Sequence, residues 1–156
     1  MAAEFVTPVT VDHLRLLDRD LREGDRAEVV AVGRPDIVRQ LSRDVLLSAE
    51  SYAVFQDGDL LGVTGVRPMS LISNTARPWL LTTRHVERHK RTLLRGTRML
   101  LRRWRKRWRA LSNEIHADYQ GALRWAEWSG ATLGEPYEIA PGVRFVTATW
   151  PGIGED

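Results

Sequence analysis

The chain is 156 residues long, 43% hydrophobic and 28% charged, a balance that suits one folded domain over residues 1–156 and excludes a disordered polymer. It has no cysteine, which excludes a disulfide framework, a thiolate zinc site and a cysteine nucleophile. No apolar run approaches the roughly 18 to 20 residues that span a bilayer. The opening MAAEFVTPVT lacks the basic and apolar regions of a signal peptide, so a soluble, non-secreted protein with no membrane partner is expected.

The net charge of +3 hides an uneven distribution. Between Arg84 and Arg109 there are twelve Lys/Arg against the single acid Glu87, a local charge of +11, while the remainder holds 11 basic and 19 acidic residues. Lys90 and Lys106 are the only lysines. Arginine suits bidentate recognition of phosphate or carboxylate, although a GC-rich genome gives the same bias.

In chain order, Glu4 to Val9 is a strand candidate. Thr10 or Asp12 then caps an amphipathic helix from about Val11 to Arg22, with Val11, Leu14, Leu17 and Leu21 on one face and Gly24 as its stop. The run AEVVAVG fits either a strand or a short buried helical turn. RPDIVRQLSRDVLLSAE predicts a further helix, from Pro35 in the first turn, Asp36 at the N-terminus, and Ile37, Leu41, Val45 and Leu46 on one stripe.

Asp57-Gly58 between two β-rich runs is a hairpin signal, since both residues tolerate positive φ. It pairs Tyr52–Gln56 with Leu60–Arg67. Pro68 to Asn74 reads as a loop and Trp79 to Thr83 as a third strand. A strongly basic helix follows, then a strand at Ser112 to Ala117. GALRWAEWSGA reads as a helix with Leu123, Ala126 and Ala122 inward and Gly130 just beyond its end. Tyr137–Ile139 and Val143–Trp150 form a terminal hairpin.

A strand, two helices, three antiparallel strands, a helix, a strand, a helix and a strand pair make an order that resembles the GNAT fold, the Gcn5-related N-acetyltransferase superfamily. The resemblance covers nearly the whole chain. It implies an α+β domain whose central, mostly antiparallel mixed sheet is flanked by about four helices. Within it, PWLLTT (Pro78 to Thr83), LSNEIHADYQGALRWAEWSGA (Leu111 to Ala131) and GVRFVTATW resemble a bacteriophage branch described as internal virion or acetyltransferase-like proteins of tailed phages. That branch implies a place in the virion after synthesis in the host cytoplasm.

The superfamily's active members hold the acyl-CoA pyrophosphate on a Q/R-x-x-G-x-G/A turn, where glycines let backbone N–H groups approach the phosphates. Here the glycine positions hold Glu87 and His89 counted from Arg84, or Arg91 and Leu93 counted from Arg88. If the cofactor is retained, the resemblance places Leu81, Thr82, Arg88, Lys90 and Arg91 around it. The general-acid tyrosine of many members falls on Ala126, which has no proton to donate. Glu87, Glu114 and His116 are the remaining acid–base candidates.

No catalytic residue is therefore assigned and no cofactor is expected, acetyl-CoA being the alternative. His85 and His89 stand at i and i+4 beside Glu87, but with His13 and His116 they form no HExxH motif, so no metal site is expected. On the basic helix Leu93, Thr97, Leu100, Leu101, Trp104 and Trp108 form an apolar stripe. Arg91, Arg95, Arg98, Arg102, Arg105 and Arg109 repeat every three or four residues on another face. The expectation is a binding protein that meets other virion proteins, copies of itself, or packaged DNA through this face. Trp104, Trp108, Trp125 and Trp128 are candidate interface anchors. An active acyl-CoA-dependent N-acetyltransferase with an atypical turn is the alternative.

Overall fold

The structure, a computed structural model, describes residues 3–31, 33 and 36–154. The chain divides into two compact units, Met1–Arg67 with Trp79–Thr97, and Pro68–Pro78 with Arg98–Asp156. The fold is mixed α+β, with a mostly antiparallel sheet of eight strands and five helices.

The first unit opens with β1 (Glu4–Val6) and α1 (Val11–Arg19). Thr10 and His13 cap α1 reciprocally: the His13 N–H donates to Thr10 Oγ1 at 3.2 Å and the Thr10 N–H to His13 Nδ1 at 3.0 Å, a capping box with histidine in the usual glutamate place. The helix stops at Arg19, short of the expected Arg22. Asp20 is its C-cap and bonds to other groups, and Leu21 forms an isolated antiparallel bridge to Thr83. Gly24 is accordingly no helix stop. It lies in the first turn of α2 (Glu23–Ala31), whose acids Glu23 and Asp25 suit a helix N-terminus. AEVVAVG thus resolves as helix up to Ala31, which raises the helix count from four to five. The third helix, α3 (Ile37–Leu47), is capped by Asp36, whose Oδ1 accepts from the Arg39 N–H at 3.1 Å. Pro35 lies outside the described residues.

Strands β2 (Glu50–Gln56) and β3 (Asp59–Ser70) pair antiparallel across Asp57 and Gly58, at φ 51° and 82°, as the hairpin signal requires. β3 runs on through Pro68 to Ser70, so the expected loop shrinks. β1 pairs with β2, and β3 neighbours β4 (Thr75–Thr82). Leu14, Leu17, Leu21, Ile37, Leu41, Ala53, Leu60 and Val63 form one core cluster. Val54, Leu61, Val86 and Leu93 form a second, with Phe5 against it. Gly96 faces Phe5, whose ring would collide with any Cβ there.

In the second unit, β5 (Ala110–His116) runs antiparallel to β8 (Val143–Pro151) along its whole length. β6 (Thr132–Leu133), unforeseen in the sequence, and β7 (Tyr137–Ala140) also pair with β8. α5 spans Gln120–Trp128. β4 pairs with β5 in parallel, at Thr75–Ala110 and Ala76–Leu111. Two residues on, Pro78 has no N–H to contribute, and its carbonyl accepts from the Asn113 side-chain amide at 2.7 Å. A 3-10 turn (Arg84–Arg88) precedes α4 (Lys90–Arg107), the helix that passes from the first unit to the second.

At Gly62 on β3, an added Cβ would lie 2.5 Å from the Leu81 carbonyl oxygen, a backbone atom held in its strand. Gly62→Ala is expected to destabilise the protein by about 1–3 kcal/mol, read as a lower urea midpoint at unchanged slope.

Candidate functional site

The end of β4 is bonded on both edges by its own chain. Along a strand, successive backbone groups alternate in direction. The Thr83 N–H donates to Leu61 O on β3 at 2.9 Å, and Thr83 Oγ1 donates to Leu60 O at 2.5 Å. Its neighbours therefore point away from β3, and there the segment Asp20–Asp25 meets them. The Arg22 N–H donates to Thr82 O at 2.9 Å, and the Arg84 N–H to Asp20 O at 2.9 Å. Both the Thr82 N–H and Thr82 Oγ1 donate to Asp25 Oδ2 at 2.6 Å.

The following turn is also closed on itself. The His85 N–H donates to Thr83 Oγ1, the Val86 N–H to Thr83 O, and the His89 N–H to Val86 O. Asp20, buried with a side chain 8% exposed, gathers Arg19, Arg84 and His85 around its carboxylate at 2.8, 3.4 and 3.2 Å. The Arg19 hydrogen bond, with further ones from His85 and Arg84, holds its carboxyl well below the usual range despite burial.

Of the residues assigned to a retained cofactor, Leu81 packs against the first core cluster and Thr82 is engaged by Asp25. Lys90 pairs with Glu87 at 2.8 Å, and Glu87 also takes Arg22 at 2.8 Å. Lys90 leads in lowering the Glu87 pKa, so Glu87 is an ion-paired carboxylate and a poor base. Arg88 and Arg91 are exposed. An acyl-CoA arm laid along β4 would need the Thr82 and Arg84 backbone groups, and its pyrophosphate would need the turn's N–H groups. The Thr82, Arg84, His85, Val86 and His89 N–H groups already have partners within the chain.

The remaining acid–base candidates lie in the second unit. Glu114 Oε2 accepts from Tyr137 Oη at 2.5 Å and from Thr147 Oγ1 at 2.8 Å. The Glu114 carboxylate pushes the Tyr137 phenol pKa up. His116 Nδ1 accepts from the Asp118 N–H at 3.1 Å, which leaves any ring proton of the neutral form on Nε2. Ala126 is fully buried. Among the described residues no group of three or more His, Asp or Glu could hold a metal ion, and no helix is long and apolar enough to cross a membrane.

Three solved structures set these features in context. The chain superposes on an acetyltransferase of the GNAT family from Bacillus anthracis with a TM-score of 0.74 at 10% identity, covering 97% of this chain and 96% of that one. For a ribosomal L7/L12 alpha-N-protein acetyltransferase in complex with coenzyme A, the TM-score is 0.71 at 12% identity, over 99% and 97%. The ribosomal-protein-S18-alanine N-acetyltransferase of Escherichia coli gives 0.69 at 13% identity, over 99% and 96%. The fold is that of the GNAT acetyltransferases. No family model and no curated protein sequence matches the chain. A GNAT fold is compatible with acetyl transfer, but the likeness at these identities is one of fold.

The apolar stripe faces inward as the spacing requires: Leu93, Thr97, Leu100, Leu101 and Trp104 on α4, and Trp108 just beyond it, are all buried. Trp104 and Trp108 are therefore core residues and no interface anchors, whereas Trp128 is 47% exposed. Arg91, Arg95, Arg98 and Arg102 are exposed. At 100° per residue they span an arc of about 60°, and none is ion-paired among the described residues. The row ends differently from the expected pattern. Arg105 is half-buried, with Nε donating to Pro151 O at 2.8 Å. Arg109 lies beyond the helix, its N–H on Asn74 O and its carbonyl accepting from Gly152. Neither fixation is visible in helical spacing.

Asp20→Asn should lower stability at neutral pH by about 2–3 kcal/mol, the scale of lost hydrogen bonds to a charged group. Because the folded carboxyl titrates below an unfolded one, its contribution is complete above roughly pH 4 and fades as the pH falls toward the folded value. Urea unfolding of both proteins from pH 7 to pH 2 should show their gap narrowing only below about pH 4.

Proposed function

We propose that this chain is a virion-associated phage protein in which a GNAT fold acts as a binding scaffold and does not transfer acyl groups. One observation carries the reading: the outward edge of β4 and the turn after it are bonded by Asp20, Arg22, Asp25 and Thr83 of the same chain. Two further observations support it. The general-acid position holds a buried alanine, Ala126, and the words PWLLTT and GALRWAEWSGA resemble the phage branch. The contact surface in this reading is the unpaired row Arg91, Arg95, Arg98 and Arg102, whose spacing along a helix suits the phosphates of packaged DNA. Other virion proteins and copies of the chain are further partners for its acidic remainder.

A second reading, an acyl-CoA-dependent N-acetyltransferase with an atypical turn, is favoured by the two-residue ladder between β4 and β5 and the Asn113 side chain on Pro78 O. Calorimetric titration with acetyl-CoA separates the two. The scaffold reading expects no saturable heat across the roughly micromolar to millimolar range of enzyme Michaelis constants. Saturation there, with acetyl transfer to an amine, would overturn it.

For the arginine row, duplex DNA affinity measured against salt should fall with a logarithmic slope of about −4 for four to five phosphates contacted. Replacing Arg91, Arg95, Arg98 and Arg102 together by Glu should abolish binding. Affinity unchanged by that replacement would give the row another purpose.

A further inference from the structure

The second half of α4, the end of α5 and the segment after β8 enclose a half-open cleft of about 360 Å³. Arg98, Arg102 and Arg105 line one side, Trp128, Ser129 and Gly130 the other, with Ile153 at its border. Among the described residues no carboxylate lines it, and none of the three arginines is ion-paired. Three guanidinium groups in one concavity repel each other strongly unless an anion joins them.

The cleft is built to keep those groups available. The Arg105 guanidinium is fixed by its Nε bond to Pro151 O, and the Ile153 N–H in turn donates to Arg105 O. Its Nη1 lies so close to Gly130 that a Cβ there would come within 2.7 Å, and Gly130 holds φ +109°, which side-chain-bearing residues rarely adopt. The carbonyls at the end of α5 are taken internally: Trp125 O accepts from the Ser129 N–H, Ala126 O from the Ala131 N–H, and Glu127 O from the Gly130 N–H. Ser129 Oγ donates to Ala126 O and accepts from Trp150 Nε1. These acceptors are thereby withdrawn from competition for the arginines. Beside them, Trp128 has the Arg98 guanidinium 4.6 Å from its ring centroid and is 47% exposed.

We propose that this cleft binds one unpaired nucleotide of a single-stranded nucleic acid, its phosphate held by Arg98, Arg102 and Arg105 and its base stacked on Trp128. Two features decide for that ligand. The volume is at the lower end of small-ligand pockets, room for one nucleotide and none for a duplex. An exposed indole beside guanidinium groups is a platform for bases of any sequence, which an acidic peptide would leave unused. The proposal rests on the reading of α4 as a nucleic-acid contact and adds that the unpaired form is preferred at this end of the row.

The test is fluorescence anisotropy of a labelled 12-mer of oligo-dT and of a labelled 12-bp duplex at one salt concentration, with dTMP, inorganic phosphate and a poly-glutamate peptide as competitors. Oligo-dT should bind about tenfold or more tighter than the duplex, and dTMP should compete better than inorganic phosphate. Trp128→Ala should weaken oligo-dT by about ten- to hundredfold and leave the duplex unchanged. Arg102→Glu, at an exposed position, should weaken oligo-dT at least as much, and near-ultraviolet circular dichroism shows whether each variant is folded. Equal affinity for both DNAs with a folded, inert Trp128→Ala overturns the cleft proposal and leaves the arginine row standing. Absence of binding to either DNA at low salt overturns both. Competition by poly-glutamate as strong as that of dTMP assigns the cleft to acidic protein and overturns the nucleotide.

Discussion

Two aspartates hold the end of β4, and the remainder of the first unit depends on that contact. Asp25 accepts from both donors of Thr82, while the Asp20 carbonyl takes the Arg84 N–H and its carboxylate gathers three cationic or ionisable side chains. A buried carboxylate loses its hydration and is stable only where hydrogen bonds replace it. Here Arg19 supplies one replacement from the next position, and Thr82, Arg84 and His85 supply the others from about sixty positions along the chain. The contact fixes where β4 ends, and with it where the 3-10 turn begins and where α4 starts.

The same contact has a functional side. A strand edge that leaves its N–H and C=O groups open is available to an extended ligand. This edge is filled by the residues from Asp20 to Asp25, and in the turn that follows the His85, Val86 and His89 N–H groups are bonded within the turn. A glycine turn of the kind that cradles a pyrophosphate leaves those groups bare. The fold is thus present with the backbone groups at the end of β4 used for internal cohesion. A fold by itself does not fix chemistry, because function depends on a few groups at one place on a scaffold.

Helix α4 carries the opposite kind of constraint. Its inward stripe is well buried, yet its first turn bears Lys90 and Arg91 and no acid. Cations there oppose the helix dipole, whereas Arg105, Lys106 and Arg107 in the last turn favour it. The Glu87–Lys90 pair offsets part of the cost at the first turn. The exposed row between these ends has no such internal partner among the described residues. Surface charge left uncompensated along one arc gives that side of the helix a positive field.

Much of this was legible from sequence. Helical spacing gave the inward face of α4 from Leu93 to Trp108, Asp57-Gly58 gave the hairpin, and the element order gave the α+β class, because each depends on periodicity or on local backbone preference. The missing glycines after β4 were equally plain. Other features depended on partners distant in sequence. Asp20 and Gly24 read locally as parts of a helix end, and AEVVAVG suited two structures, until Thr82, Thr83 and Arg84 supplied partners that settled the local backbone. Arg105 and Arg109 continued a helical row on paper and are held instead by Pro151, Asn74 and Gly152. Trp128 shared the reading of an interface anchor with Trp104, and burial separated them, since a tryptophan's burial depends on what packs over it. The sequence by itself determined the elements, their apolar faces and the charge of α4. Only the tertiary structure decided which donors were already bonded and which arginines shared a cleft, because hydrogen bonds between distant residues leave no period in the chain.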